Sequence, residues 1–191
     1  MGKKKGVLFV ISGPSGCGKT TLGEMIISEN NNLVRSVSMT TRPPRRGERQ
    51  GKEYFFVDEK RFLEWKEKDK FLEWAKVFNY FYGTPREFVM KNLNQGKNVV
   101  LIIDVQGAMQ VKKKFPDAVF IFIAPPSLKT LRERLKKRGL DSPAEIKKRL
   151  RQAREEMTYQ GYYNYILVND KLDTTKKILN AIIALEKIKR K

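Results

Sequence analysis

Short apolar runs and helical patterns alternate along most of this chain. Residues 7–12, 35–39, 99–104, 119–124 and 165–168 read as buried strands, with 35–39 the weakest signal. Apolar positions at helical spacing predict helices over 20–28, 106–114, 127–137 and 144–158, and Ile178, Ile182, Leu185 and Ile188 predict a last helix over 172–189. Strands alternating with helices predict an α/β fold, with a five-stranded parallel sheet flanked by helices.

Two regions break the rhythm. Residues 40–96 are rich in aromatic and charged side chains and predict short strands over 54–57, 71–77 and 78–83, with helices over 59–68 and 85–94. This reads as a small α+β lobe inserted between the second and third core strands. A second interruption falls at 138–143, where Gly139 can end one helix and Ser142 with Pro143 can begin the next. Arginines gather on both sides of it.

Between the first strand and the first helix lies GPSGCGKT, residues 13–20, with the spacing of a phosphate-binding loop. Gly13, Gly16 and Gly18 allow backbone N–H groups to converge on one anion, and the following helix presents its positive end to the same place. Lys19 adds a full charge for the outer phosphates, and the Thr20 hydroxyl can join the shell of a magnesium ion. These features point to nucleoside triphosphate binding. The third core strand ends in Asp104, where a second acidic group near the magnesium or its waters is expected; Asp at a strand end also occurs for turn reasons. Arg42 and Arg45 flank Pro43-Pro44. They read equally well as a rigid phosphate grip and as a basic surface loop.

Composition narrows the setting. The 191 residues suit one domain with inserted lobes, and 40% hydrophobic against 32% charged residues marks a globular chain. No apolar run approaches the ~20 residues that span a bilayer, so no membrane contact is expected. The amino-terminal segment reads as neither a signal peptide nor a myristoylation site, since residue 6 is Gly. The single cysteine, Cys17, permits no internal disulfide, which fits a cytoplasmic location. Without a histidine to serve as its base, Cys17 reads as loop filler rather than a catalytic thiol. The net charge of +19 is spread along the chain rather than confined to one arm, so nucleic acid is not the expected partner.

The longer pattern resembles the guanylate kinases. The matching elements are the loop at 13–20; Ser36-Val37-Ser38 followed by Thr40-Thr41-Arg42, Arg45 and Gly47-Glu48; Gly51-Lys52-Glu53-Tyr54; Phe71-Leu72-Glu73-Trp74-Ala75; Tyr82-Gly83-Thr84; Ile103-Asp104-Val105-Gln106-Gly107; residues 122–127; Arg134 through Gly139; and Val168-Asn169-Asp170. They run in family order from near residue 7 to near residue 185.

The resemblance implies a P-loop core over 1–36 and 97–191, a GMP-binding lobe over 37–96 and a helical lid over about 135–160, all within a single domain of about 5–187. It implies transfer of the γ-phosphoryl group of ATP to GMP, with magnesium as cofactor and dGMP as a further acceptor. ATP would be held by Gly13, Pro14, Ser15, Gly16, Cys17, Gly18, Lys19, Thr20, Thr21 and Asn169. Arg42, Arg45, Tyr54 and Tyr82 would hold the GMP phosphate, and Ser38, Glu73, Thr84 and Asp104 would read its base. Guanine presents two adjacent N–H donors that one carboxylate can accept, and adenine presents no such pair. Lys19 with the lid residues Arg134, Arg138 and Arg149 would neutralise charge in the transition state, although Arg134 reads almost as well as a helix-surface residue. Thr20, and Asp104 through water, would face magnesium. The chain departs from the family at Ile102, where many members carry an acidic residue. Three other readings compete: a non-catalytic module on the same fold, a transferase with another acceptor and a nucleic-acid binder. The intact loop and Glu73 weigh against the first two. The sequence is silent on oligomeric state.

Overall fold

The computed structural model describes residues 5–189. Met1–Lys4 and the expected outer limits of the core at residues 1 and 191 lie outside the described residues. The strands are β1 (Leu8–Ser12), β2 (Leu33–Arg35), β3 (Met39–Thr40), β4 (Phe55–Phe56), β5 (Phe71–Val77), β6 (Tyr80–Pro85), β7 (Asn98–Ile102), β8 (Val119–Ala124) and β9 (Tyr165–Val168). The helices are α1 (Lys19–Glu29), α2 (Glu59–Glu67), α3 (Arg86–Asn94), α4 (Val105–Lys114), α5 (Leu128–Arg138), α6 (Pro143–Met157) and α7 (Leu172–Lys189).

The core is a five-stranded sheet in the order β2-β7-β1-β8-β9, with every neighbouring pair parallel. β1 and β8 are buried along their whole length, as their unbroken apolar sequences require of strands covered on both faces. On one face, Val89 and Leu93 of α3 and Val105, Ala108 and Val111 of α4 pack with Phe120 and Phe122. On the other, Leu22 and Ile26 of α1 and Leu179, Ile182 and Ile183 of α7 pack with Phe9, Ile11 and Ile121. Each such buried Val, Leu, Ile or Phe side chain contributes about 1.5–3 kcal/mol of transfer free energy. The sheet places the carboxyl ends of β1 and β7 side by side. That is where parallel α/β sheets bind ligands.

A second sheet, ordered β4-β3-β6-β5, forms the lobe expected between the second and third core strands. Met39, Phe62 and Phe71 make its own small core. Its edge strand β5 is bound to the main body by α4: the Gln110 side chain accepts from the Trp74 N–H at 3.2 Å and donates to the Trp74 carbonyl at 2.5 Å, and Lys114 donates to the Leu72 carbonyl at 2.9 Å. The free edge of the strand is thereby covered by side chains of the core.

Two expected strands differ in the structure. The run at 35–39 is not one strand: Leu33–Arg35 pairs with β7, and Met39–Thr40 joins the lobe sheet. Ser36 carries the chain between them, its N–H bonded to the Val100 carbonyl at 3.1 Å. The aromatic run at 78–83 likewise starts later. Val77 pairs directly with Tyr80, so Phe78 and Asn79 form a two-residue hairpin loop. At the interruption after α5, Gly139 lies in the left-handed region with φ 66°. Ser142 then opens α6 through a reciprocal capping box with Glu145, and Pro143 takes the first helical position.

Candidate active site

The loop after β1 is shaped by its glycines, with φ of 136° at Gly13, 89° at Gly16 and 94° at Gly18. Gly18 is the helix cap of α1 and touches Asn169 so closely that a Cβ would lie 2.5 Å from its Nδ2. The same Nδ2 donates to the Cys17 carbonyl at 2.8 Å. Asn169 therefore fastens the loop from behind, and its Oδ1 is buried without a hydrogen bond. The Lys19 ammonium turns back over the loop and donates to the carbonyls of Gly13 at 2.5 Å and Pro14 at 2.9 Å. Burial pushes the Cys17 thiol above its ordinary pKa, against the pull of Lys19. A protonated, inaccessible thiol agrees with its reading as filler.

The loop forms one wall of a cleft of about 890 Å³, a size suited to small-molecule ligands. Gly13, Ser15, Gly16, Gly18, Lys19, Thr20 and Thr21 line it from the loop and α1. Ser38, Arg42, Arg45, Tyr54, Glu73 and Tyr82 line it from the lobe, and Arg134, Arg138 and Arg149 from α5 and α6. Asp104 lies at its floor. Pro14, Cys17, Thr84 and Asn169 do not reach its surface; they stand behind residues that do.

In the lobe, Arg42 is clamped by Glu48, whose two carboxylate oxygens accept from Nη2 at 2.8 and 2.9 Å. Glu48 also accepts from the Arg45 N–H at 2.8 Å. Burial alone would depress the Arg42 guanidinium, but Glu48 and Tyr82 together outweigh it and the net shift is upward. Glu48 itself is pulled below the usual carboxylate range: burial opposes this, and the Arg45 N–H and Arg42 overcome it. The Arg42 guanidinium also stands 5.5 Å over the Tyr54 ring, and Tyr54 meets Tyr82 edge-on at 5.9 Å. Two cations and two phenols thus converge on one corner, a donor set suited to a dianionic phosphate.

At the other end of the lobe Glu73 is buried, 3% exposed. Its register partner Thr84 donates to Oε1 at 2.5 Å. A bulge between Phe71 and Glu73 breaks the ladder beside it and re-aims the strand. Across from it, Gly107 of α4 comes so near that a Cβ there would lie 2.4 Å from Glu73 Oε2. Burial, reinforced by Asp104 and opposed by the Thr84 hydrogen bond, pushes the Glu73 carboxyl up to about 8. Asp104 caps α4 by accepting from the Gly107 N–H at 2.9 Å, which is the turn role of a strand-end Asp, and it also lines the cleft. Burial raises its pKa, with the Gly107 N–H and Lys19 pulling the other way.

From the far side, Arg149 donates to Ser15 Oγ at 3.0 Å and pairs with Asp141 at 3.0 Å, bringing α6 onto the phosphate loop. Arg134 donates to the carbonyls of Asn169 at 2.8 Å and Asp170 at 3.3 Å. Arg138 is depressed by burial and by the nearby cations Arg45 and Arg149, so positive charge from lobe and lid meets in one place.

The sequence reading missed several residues of the cleft. Glu48 was visible as part of a motif but without a role. Arg35, Phe78, Asp141 and Glu156 line the wall with no motif to announce them. Glu156 of α6 is raised by burial while Lys19 holds it down, which places it within electrostatic reach of the loop. Ile102 also lines the cleft, with its Cδ1 filling the notch beside α1 that Gly23 leaves open.

A phosphate loop on a parallel sheet, opposed across one cleft by a corner of two arginines and two tyrosines and flanked by further arginines, defines a P-loop kinase acting on nucleotides. Comparison with known proteins narrows the class. The guanylate kinase family model matches residues 5–186. The chain is 54% identical over 185 residues to the guanylate kinase of Caldanaerobacter subterraneus subsp. tengcongensis, covering 97% of this chain and 90% of that protein. It is 48% identical to the guanylate kinase of Thermotoga maritima, covering 97% and 89%. The crystal structure of guanylate kinase from Anaplasma phagocytophilum superimposes with a TM-score of 0.81 at 36% identity, over 97% of this chain and 88% of that one. The chain belongs to the guanylate kinase family.

Proposed function

We propose that this enzyme transfers the γ-phosphoryl group of ATP to GMP, with the triphosphate in the Gly13–Thr20 loop and the monophosphate in the lobe spanning 37–96. The observation that carries this reading is the pairing of two anion cradles in one cleft, the loop with Lys19 and the corner of Arg42, Arg45, Tyr54 and Tyr82, beside a buried carboxyl at Glu73. In this reading the guanine N–H donors bind Glu73, which Thr84 orients from behind, and Ser38 and Asp104 complete the base pocket.

An oxygen of the GMP phosphate attacks the γ-phosphorus, the bond to the β–γ bridging oxygen breaks, and ADP leaves as GDP forms. The acceptor phosphate is already ionised at neutral pH, its second pKa being about 6, so no general base is required. Rate then comes from alignment and from positive charge around the transferred group. Lys19 follows the outer phosphates, while Arg138 and Arg149 neutralise charge as the lid, about 135–160, covers the cleft and excludes water. Arg134, which lines the cleft and is fixed on the Asn169 carbonyl, adds charge from α5, while Asn169 supports the loop from behind.

Magnesium fits the donors present: Thr20 and Asp104 offer hard oxygens in the same cleft as Lys19, and an ion that keeps several waters needs few protein ligands. When bound it would neutralise phosphate charge. A cytoplasmic location goes with this reading, because both substrates are charged and membrane-impermeant. Among the described residues no helix is long and apolar enough to cross a membrane.

The test is a panel of nucleoside monophosphates with ATP and magnesium, read as phosphate transferred. GMP should turn over far faster than AMP, CMP or UMP, with dGMP also accepted. Equal rates across the panel would overturn the assignment.

A further inference from the structure

Phe78 occupies the first position of the two-residue loop that joins β5 to β6, with φ 54°. Tight hairpin loops require positive φ there and normally fill the position with Gly, Asn or Asp. A bulky aromatic residue in the left-handed region is an outlier, and such outliers gather where the surroundings hold them for a purpose. Phe78 is not part of the lobe's apolar core, which is made of Met39, Phe62 and Phe71 with their neighbours. Its ring instead reaches across the cleft to α6, where the Arg149 guanidinium lies 4.7 Å and the Lys148 ammonium 5.1 Å from its centroid.

We propose that Phe78 is a positioning residue for phosphoryl transfer, its ring seating the Arg149 guanidinium so that the acceptor lobe aims a donor-side arginine. The inference rests on the reading above, in which Arg149 faces the phosphates of ATP. Arg149 is held at its edges by Ser15 Oγ at 3.0 Å and Asp141 Oδ1 at 3.0 Å. Those contacts fix the fork but leave its plane free to tilt. A ring against the face supplies the missing constraint, and it uses none of the five N–H donors that a phosphate would need. A carboxylate in the same place would compete for them. Because Phe78 belongs to the lobe and Ser15 to the phosphate loop, Arg149 meets both supports only when lobe, lid and loop are together. The arginine is thus aligned when acceptor and donor are both enclosed.

Steady-state kinetics on wild type, Phe78→Leu, Phe78→Tyr, Arg149→Ala and the Phe78→Leu/Arg149→Ala double variant test this. Phe78→Leu keeps apolar volume without a π face and should lower kcat about five- to twentyfold, with KM for GMP and ATP within about twofold. Phe78→Tyr should keep kcat within about twofold of wild type, and Phe78→Leu should add no further loss once Arg149 is gone. Thermal unfolding of each variant checks the fold. Should Phe78→Leu not fold, Phe78→Asn, which suits the backbone but lacks a ring, should show the same loss of kcat. The proposal is overturned if Leu matches wild type, if its effect falls on KM alone, or if the two losses multiply. Wild-type turnover of GMP in the same assay separates the two levels: an inactive wild type overturns the assigned function as well, whereas an active one with an indifferent Phe78→Leu overturns only the role of Phe78.

Discussion

Thr84 Oγ1 donates to Glu73 Oε1 at 2.5 Å, between two side chains that face each other across the β5–β6 ladder and are both buried. Burial holds the Glu73 carboxyl at about 8, so at neutral pH it is mostly protonated. Guanine's two donors need the carboxylate. Binding GMP at pH 7 should therefore release about one proton from this site. Calorimetry in buffers of different ionisation enthalpy measures this, and Glu73→Gln should abolish the release. The same shift sets a stability trend. Between about 4.5 and 8 the unfolded chain ionises at Glu73 while the folded chain does not, so wild-type stability falls as pH rises through that window. The melting temperature of Glu73→Gln relative to wild type should climb across it.

Selectivity should follow the same residue. Glu73→Gln replaces an acceptor of two donors by a group that offers one acceptor and one donor, so discrimination of GMP against AMP, measured as the ratio of kcat/KM values, should fall about a hundredfold. Thr84→Val, which removes only the support from behind, should fall less.

Lys19→Ala should lower kcat about a thousandfold through lost charge at the outer phosphates. Among the described residues the hydrogen bonds of the ammonium go to the loop carbonyls of Gly13 and Pro14, so the melting temperature should stay within about 2 °C. Turnover and thermal unfolding of one preparation check both parts.

Glu48→Gln tests the clamp on Arg42. It leaves the guanidinium in place but removes the charge that holds both oxygens against it. KM for GMP should rise about tenfold with a smaller change in kcat. An unchanged KM would mean that Arg42 needs no second residue to orient it.

Ile102→Asp restores the acidic residue common in the family. Here the isoleucine fills the notch at Gly23, so the exchange should lower the melting temperature by about 2–4 °C while reducing the magnesium concentration needed for half-maximal rate by about threefold. A magnesium titration of the rate, run beside thermal unfolding, reads both.

The core strands were legible because β1, β7 and β8 are apolar runs bounded by turn residues, and the loop at 13–20 because its chemistry demands glycine at fixed spacing. The lobe was harder. Arg35 and Met39 looked like ends of one strand, yet they belong to different sheets, and local pattern carries no trace of which sheet a residue joins. The aromatic run from Phe78 to Tyr82 hid a turn because phenylalanine sits where glycine is expected. Thr84 was read as a base-contacting group, whereas the structure seats it behind Glu73. Asp141 and Glu156 enter the cleft only because α6 folds over the loop, a contact that nothing near them in the chain announces.

Cys17 is the chain's single thiol, and it is fully enclosed within the glycine-rich loop after β1. An alkylating reagent can reach it only when that loop swings open. Its rate of modification is thus a built-in clock for loop opening, and a nucleotide that fills the cradle should slow it.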